Sequence, residues 1–270
     1  MLPTTLTVGV IQMNTQQDKE KNIAHALAGC EEALQKGAQF LALPETFNSR
    51  ACSNKWDQAE TLAGPTVQLF QDFAKNTHSW ILLGSISERL SQGKKISNTS
   101  VLISDEGHCH AVYRKMHLFD ADVHGKIIRE SDCFVAGETP VLTDIKGIKT
   151  GLSICYDLRF GYLYERYRSL GAHMLCIPSS FTTPTGKAHW EVLLRARAIE
   201  NQCFVIAPNQ VGMGTGGVPT FGNSLIIDPW GTVLAKGSEY DEEVLVATLN
   251  FQDLVSLRKS FPLFEHKKQL

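Results

Sequence analysis

Three residues of the chain carry the makings of an acyl transfer: a carboxylate at Glu45, an ammonium at Lys115 and a thiol at Cys155. Glu45 closes the apolar segment FLALP, Lys115 ends HAVYRK, and Cys155 ends GLSIC just ahead of the polar Asp157 and Arg159. A carboxylate can accept a thiol proton, a thiolate can attack a carbonyl, and an ammonium can stabilise the oxyanion that results. Each residue also has a plainer reading. A strand-end acid can cap the next turn, a strand-end lysine can guard a sheet edge, and a cysteine can be a small buried hydrophobe. What sets these three apart is that all fall at the C-terminal ends of predicted strands, where α/β proteins gather their sites, so that three strand ends can share one crevice.

Other chemistries find less support. His117, His173 and His189 are the best candidates for a Cys/His pair, but none lies in a local motif that places it beside Cys155, and His189 in KAHWE reads as structural or as part of a pocket rim. His108 and His110 share a strand face without a third ligand, so no metal site is expected. The cysteines at 30, 52, 109, 133, 155, 176 and 203 are odd in number, widely spread and free of any CxxC pair, which suggests neither a disulfide framework nor zinc. No GxGxxG or Walker loop occurs, so no nucleotide and no other cofactor is expected.

The elements that must hold the three residues follow from periodicity. Runs at 7–13, 40–43, 80–86, 101–103, 148–155, 174–177 and 204–207 have strand length and are rich in β-branched residues. Helical spacing links Ile23, Leu27, Cys30 and Leu34 up to Gly37, then Val67, Phe70, Phe73 and Ala74 after Gly64 and Pro65. A helix containing Tyr164, Arg166 and Leu170 is expected after Cys155, and another over 188–201 with Val192, Leu193, Ala196 and Ile199 as its apolar face. Alternating strands and helices predict an α/β layered fold. The chain also repeats itself: Gly37, Ala38, Leu41, Pro44 and Phe47 recur as Gly171, Ala172, Leu175, Pro178 and Phe181, and Asn98 to Gly107 is echoed by Asn223 to Gly231. Two copies are too few for a solenoid, so residues 1–270 are expected to form a single domain of two related halves packed sheet against sheet, with helices outside.

With 43% apolar and 20% charged residues and a net charge of −2, the 270-residue chain reads as a folded domain with no field to attract nucleic acid or an anionic membrane. The opening MLPTTLTVGVIQM lacks the basic flank and apolar length of a secretion signal, and no run is long enough to span a bilayer, which reads as cytoplasmic.

LPETF around Glu45, YRKMHLFD around Lys115 and SICYDLRF around Cys155, in that order, resemble the signature of the nitrilase superfamily of carbon–nitrogen hydrolases. The resemblance implies a four-layer αββα sandwich with an internal pseudo-two-fold repeat, assembled as a homodimer or a higher homo-oligomer. It assigns Glu45 as general base, Cys155 as nucleophile and Lys115 as oxyanion stabiliser, helped by the backbone N–H of Tyr156. It also adds Glu130 in IIRESD as a second acid, orienting the lysine or the deacylating water. Residues 181–205 are similar to the branch of deaminated-glutathione amidases, with the ω-amidase branch less similar. On that resemblance Arg159, Phe181 and Thr185 contact an acidic acyl group, an arginine being suited to a carboxylate; the plainer role for Arg159 is an ion pair with Asp157. Where the family commonly reads RFPE this chain has Arg159, Phe160, Gly161 and Tyr162, and losing the proline is expected to loosen the turn after the nucleophile. The implied activity is hydrolysis of a small amide bearing a carboxylate through a thioester. Deaminated glutathione, giving 2-oxoglutarate and cysteinylglycine as metabolite repair, leads; 2-oxoglutaramate is the alternative. Outside that class stand a thiol redox sensor and a non-catalytic binding protein on the same fold.

Overall fold

The structure, a computed structural model, describes residues 2–50, 55–91, 96–123, 126–215 and 217–268; Cys52 lies outside them. The first half runs β1 (Thr5–Gln12), α1 (Lys19–Gln35), β2 (Phe40–Ala42), a single turn α2 (Lys55–Gln58), α3 (Pro65–Thr77), β3 (Trp80–Arg89), β4 (Ile96–Ile103) and β5 (Cys109–Arg114). A hairpin of β6 (Asp120–Val123) and β7 (Lys126–Arg129) and a 3₁₀ turn at Glu130–Asp132 follow. β8 (Val141–Ile145) closes the first half, and the second half runs β9 (Ile148–Leu152), a 3₁₀ turn at Cys155–Arg159, α4 (Gly161–Ser169), β10 (Met174–Cys176), α5 (Thr183–Asn201) and β11 (Phe204–Ala207). The hairpin β12 (Val211–Met213) and β13 (Pro219–Phe221) leads to β14 (Leu225–Ile227), β15 (Val233–Lys236), β16 (Glu243–Asn250) and α6 (Phe251–Ser260).

Two six-stranded sheets result, ordered β16-β1-β2-β3-β4-β5 and β8-β9-β10-β11-β14-β15. In each, three central strands are parallel and the outer ones antiparallel, so the sheets match strand for strand. The echo in the sequence is an echo in the backbone: β2 and β10 lie at the same offset, and Gly37 and Gly171 before them take φ of 89° and 91°. The sixth strand of each sheet comes from the other half of the chain. β8 closes the first half but pairs with β9, and β16, which closes the second, pairs with β1.

Side chains alternate across the first sheet as the pleat requires. Leu6, Val8, Val10, Phe40 and Leu82 pack toward the second sheet, in one core with Ile148, Met174 and Ile206. Ile11, Leu41, Ile81 and Val101 face the other way onto Cys30, Ala33, Phe70 and Ala74 of α1 and α3. The second sheet is covered by α4 and α5, whose Tyr167 and Trp190 are fully buried, giving the αββα order of layers.

Two expectations need correction. α5 starts at Thr183, not 188, because Thr182 is extended and Pro184 sits in the first turn, where its fixed φ suits a helix. Its buried face is Trp190, Leu194, Arg197, Ala198 and Asn201, while Val192 and Ile199 are 69% and 43% exposed. The inward stripe carries polar ends that the apolar spacing hid, and they are satisfied: Trp190 Nε1 donates to Asn223 O at 2.7 Å and Arg197 Nε to Leu158 O at 3.0 Å. Among the described residues no helix is long and apolar enough to cross a membrane.

Candidate active site

Strands end earlier than expected around all three reactive residues, and tight loops carry the side chains onward. β2 stops at Ala42, and Glu45 sits in the following turn, where Gly84 of β3 lets two backbones touch. A Cβ built on Gly84 would lie 1.9 Å from Leu43 O and 2.3 Å from Pro44 O. β9 stops at Leu152, three residues short of Cys155, which takes the left-handed φ of 47° at the start of its 3₁₀ turn. That conformation is uncommon outside glycine and marks a residue held by its surroundings. Here Cys155 N donates to Pro178 O at 2.9 Å. Lys115 is one residue past β5, its N–H on Asn98 O at 2.9 Å.

Glu45, Lys115, Glu130 and Cys155 line one cleft of about 500 Å³. Lys115 is 1% exposed, and its Nζ lies 2.9 Å from Glu45 Oε1 and 2.8 Å from Glu130 Oε2. Burial works against the ammonium, but the Glu130 and Glu45 carboxylates outweigh it and hold the Lys115 pKa well above the ordinary lysine value. Burial pushes the Cys155 thiol well above its ordinary value and Glu45 adds to this, while Lys115 and the Ser180 backbone amide pull the other way. A protonated thiol beside an anionic carboxylate and a cation is therefore the resting arrangement.

Several partners were absent from the sequence reading. Asn98 Nδ2 donates to Glu45 Oε1 at 2.8 Å, and Gln210 Nε2, from the second half, donates to the Glu45 carbonyl at 2.9 Å. Phe119 N donates to Glu130 Oε2 at 2.8 Å. Asp157, wholly buried behind the nucleophile, accepts from Ile154 N at 2.8 Å, Tyr113 Oη at 2.6 Å and His117 N at 3.0 Å, and its Oδ1 lies 2.6 Å from His117 Nδ1. The echo passed through Asn98, which was a hint; nothing local pointed to Gln210.

His117 is thus occupied with Asp157, and its ring stacks on Phe160 at 3.7 Å with its far nitrogen on the Tyr162 hydroxyl. Where the proline is missing, Phe160 and Tyr162 pack on His117, and Arg197 holds Leu158 O. Arg159 does not pair with Asp157. Its guanidinium lies 5.6 Å from the Tyr156 ring centre and 5.3 Å from that of Phe181, with Nη1 3.1 Å from His189 Nδ1. The side chains of Tyr156, Arg159, Phe181 and Thr185 are not among those lining the cleft; Thr185 bonds the hydroxyl of Thr182 at 2.8 Å, and Thr182 and Ser180 line it instead. The described residues contain no group of three or more His, Cys, Asp or Glu side chains placed to hold a metal ion.

A buried acid, lysine and thiol converging from the ends of matching αββα sheets define the nitrilase superfamily, and the chain belongs to its carbon–nitrogen hydrolase family, whose sequence model matches residues 7–259. It is a hydrolytic enzyme of the amidase kind, similar over nearly all its length to proteins with that activity in their names. It is 41% identical over 267 residues to the nitrilase and fragile histidine triad fusion protein NitFhit of Drosophila melanogaster, covering 97% of this chain and 57% of that one. It is 38% identical to the deaminated glutathione amidase of Bos taurus, covering 97% and 81%, and 36% identical to the chloroplastic omega-amidase of Arabidopsis thaliana, covering 98% and 73%. The crystal structure of Saccharomyces cerevisiae Nit3, a member of branch 10 of the nitrilase superfamily, superposes with a TM-score of 0.90 at 29% identity, covering 99% of this chain and 98% of that one.

Proposed function

We propose that the chain hydrolyses the amide of deaminated glutathione, giving 2-oxoglutarate and cysteinylglycine, with Cys155 as nucleophile and Glu45 as its base. The observation that carries the chemistry is the buried Glu45–Lys115–Glu130 chain of charges in the cleft that Cys155 lines. Glu45 accepts the thiol proton as Cys155 attacks the carbonyl, and Lys115 and the Tyr156 N–H stabilise the oxyanion. Protonated Glu45 then gives its proton to the departing amine, leaving a thioester. Glu45 next takes a proton from water, which attacks the thioester, and the thiol is released; Glu130 holds Lys115 in place throughout. The cluster of Arg159, Tyr156, Phe181 and Thr185 beyond Thr182 supports recognition of the acyl carboxylate.

An ω-amidase acting on 2-oxoglutaramate is the second reading, favoured by the comparable likeness to the Arabidopsis protein of that name. Comparing kcat/KM on the two amides decides between them, and a clear preference for 2-oxoglutaramate rejects the first. Turnover surviving in Cys155→Ala rejects the mechanism itself. We hold, further, that residues 1–270 act as a single cytoplasmic domain and pair as a homodimer. The exposed Val192 and Ile199 on the outer face of α5 support pairing, and a monomeric mass by light scattering would reject it.

A further inference from the structure

Glu45 is held by one of its two carboxylate oxygens. Oε1 accepts from Lys115 Nζ at 2.9 Å and from Asn98 Nδ2 at 2.8 Å, which fills the two acceptor sites of that oxygen. Among the described residues no donor meets Oε2. Asn98 lies in β4 opposite Ser87 of β3, is 2% exposed, and lines the cleft with Glu45 and Cys155. Its backbone carbonyl accepts from Lys115 N at 2.9 Å. One residue therefore meets the acid with its side chain and the lysine with its main chain.

The other end of the same side chain shows that it serves Glu45 more than it serves the fold. A carboxylate only accepts, so the amide must present Nδ2 to Glu45, and Oδ1 is left buried with no hydrogen-bond partner among the described residues. Its neighbours in β4 are all paired: Ser97 Oγ donates to Val135 O at 3.0 Å, Thr99 Oγ1 to Glu88 Oε2 at 2.8 Å and Ser100 Oγ to Leu83 O at 3.2 Å. A buried unpaired carbonyl opposes folding by about as much as a hydrogen bond to a charged group favours it, so the two ends of Asn98 offset each other in stability. Resting on the reading of Glu45 as the base, we infer that Asn98 is a positioning residue: with Lys115 it saturates Oε1, so that Oε2 is the oxygen that takes the Cys155 proton and passes it to the departing amine. The Sγ–H bond breaks as Oε2–H forms, and Oε2–H breaks as the amine N–H forms, while Oε1 keeps both donors throughout. Without Asn98, Lys115 alone bonds Oε1 and the carboxylate is free to turn about that contact.

The test is Asn98→Leu, which keeps the outline of the side chain and removes both its donor and its unpaired carbonyl, beside Asn98→Ala and Glu45→Gln. All are assayed on whichever of 2-oxoglutaramate and deaminated glutathione the wild type turns over faster. In both Asn98 variants kcat is expected to fall about ten- to a hundredfold with KM within about threefold of wild type, the pattern of a misplaced reacting group. Asn98→Leu is expected to melt no more than about 4 °C below the wild type, because one favourable and one unfavourable contact leave together. A wild-type kcat in Asn98→Leu, a loss carried by KM, or a melting temperature lowered by more than that would overturn the positioning role. Failure of both Asn98 variants to fold would overturn it equally, since the side chain would then be holding the sheet. In each of those cases an inactive Glu45→Gln leaves the base reading standing, whereas turnover retained in Glu45→Gln would overturn that reading and the inference with it.

Discussion

A lysine with 1% of its side chain exposed stays charged here because two carboxylates meet it at hydrogen-bond distance, and the same three charges decide how the thiol behaves. Lys115→Met should lower kcat by about 10²- to 10³-fold, the usual cost of an oxyanion donor. It should also destabilise the fold by about 3–5 kcal/mol, because Glu45 and Glu130 would face each other without the cation; a melting curve beside the kinetics checks both. Since Glu45 raises the thiol pKa and Lys115 lowers it, the pH dependence of Cys155 alkylation by iodoacetamide should move in opposite directions in two variants. The wild-type midpoint lies above about 8.5, the value of a free cysteine. Glu45→Gln should bring it down while abolishing turnover, and Lys115→Met should push it up; movement in the same direction would contradict the electrostatics drawn here. Glu45, Lys115 and Cys155 were legible in the sequence because each follows an apolar strand that should bury it. Glu130 came only through resemblance, since a 3₁₀ turn after a hairpin leaves no periodic signal. Asn98 and Gln210 stand 53 and 165 residues from Glu45, and no local pattern reports a bond across that separation.

At the scale of elements, the loops after the strands matter more than the strands. Gly84 sits in β3 where the register with β4 shifts, and the backbone of Leu43 and Pro44 fills the space of its missing side chain. Gly84→Ala should therefore push the Glu45 turn off the sheet, costing about 3 kcal/mol in stability together with most of the activity. A calorimetric scan paired with an amidase assay reads both, and wild-type values in either would refute the close approach. A second element-level consequence is acid sensitivity at the start of β10. His173 N donates to Lys149 O at 2.8 Å and Lys149 N donates back to His173 Nδ1 at 3.1 Å, so the ring must be neutral. Burial, with Arg258, Lys149 and Arg168 nearby, depresses its pKa to about 4. The unfolded chain binds this proton below about pH 6.5 and the folded chain does not, so the contribution is full above about 6.5 and is lost as pH falls toward 4. Solvent at this half-buried site holds the effect to about 1–2 kcal/mol. His173→Gln should flatten the fall in melting temperature between pH 6.5 and 4. Helix positions were legible from spacing, but the face of α5 was not, because Trp190, Arg197 and Asn201 are buried by hydrogen bonds that a count of apolar residues does not register.

For the molecule as a whole, the exchange of sixth strands is the feature that the repeat in the sequence did not reveal. An echo tells that two units are alike; it does not tell which unit completes which sheet, because the pairing of β16 with β1 joins residues about as far apart as the chain permits. The exchange has an energetic consequence. Removing β16 strips β1 of its antiparallel neighbour along its whole length, Thr5 to Gln12, and opens the apolar face of the first sheet at Leu249 and Phe251. Removing β8 does the same to β9 in the second sheet. Neither half, cut between β8 and β9, retains a complete sheet, so the two repeats should melt as one. Far- and near-ultraviolet circular dichroism of the intact chain should follow a single transition, and a chain truncated before Glu243 should lose the near-ultraviolet signal of both halves together, including that of Trp190 in the second. Two separable transitions, or a truncated chain in which the second half keeps its native signal, would show that the halves fold as independent domains. The same coupling bears on catalysis, because Glu45 comes from one half and its backbone anchor Gln210 from the other. Loss of either exchanged strand should therefore abolish turnover even though every residue lining the cleft is still present in the chain.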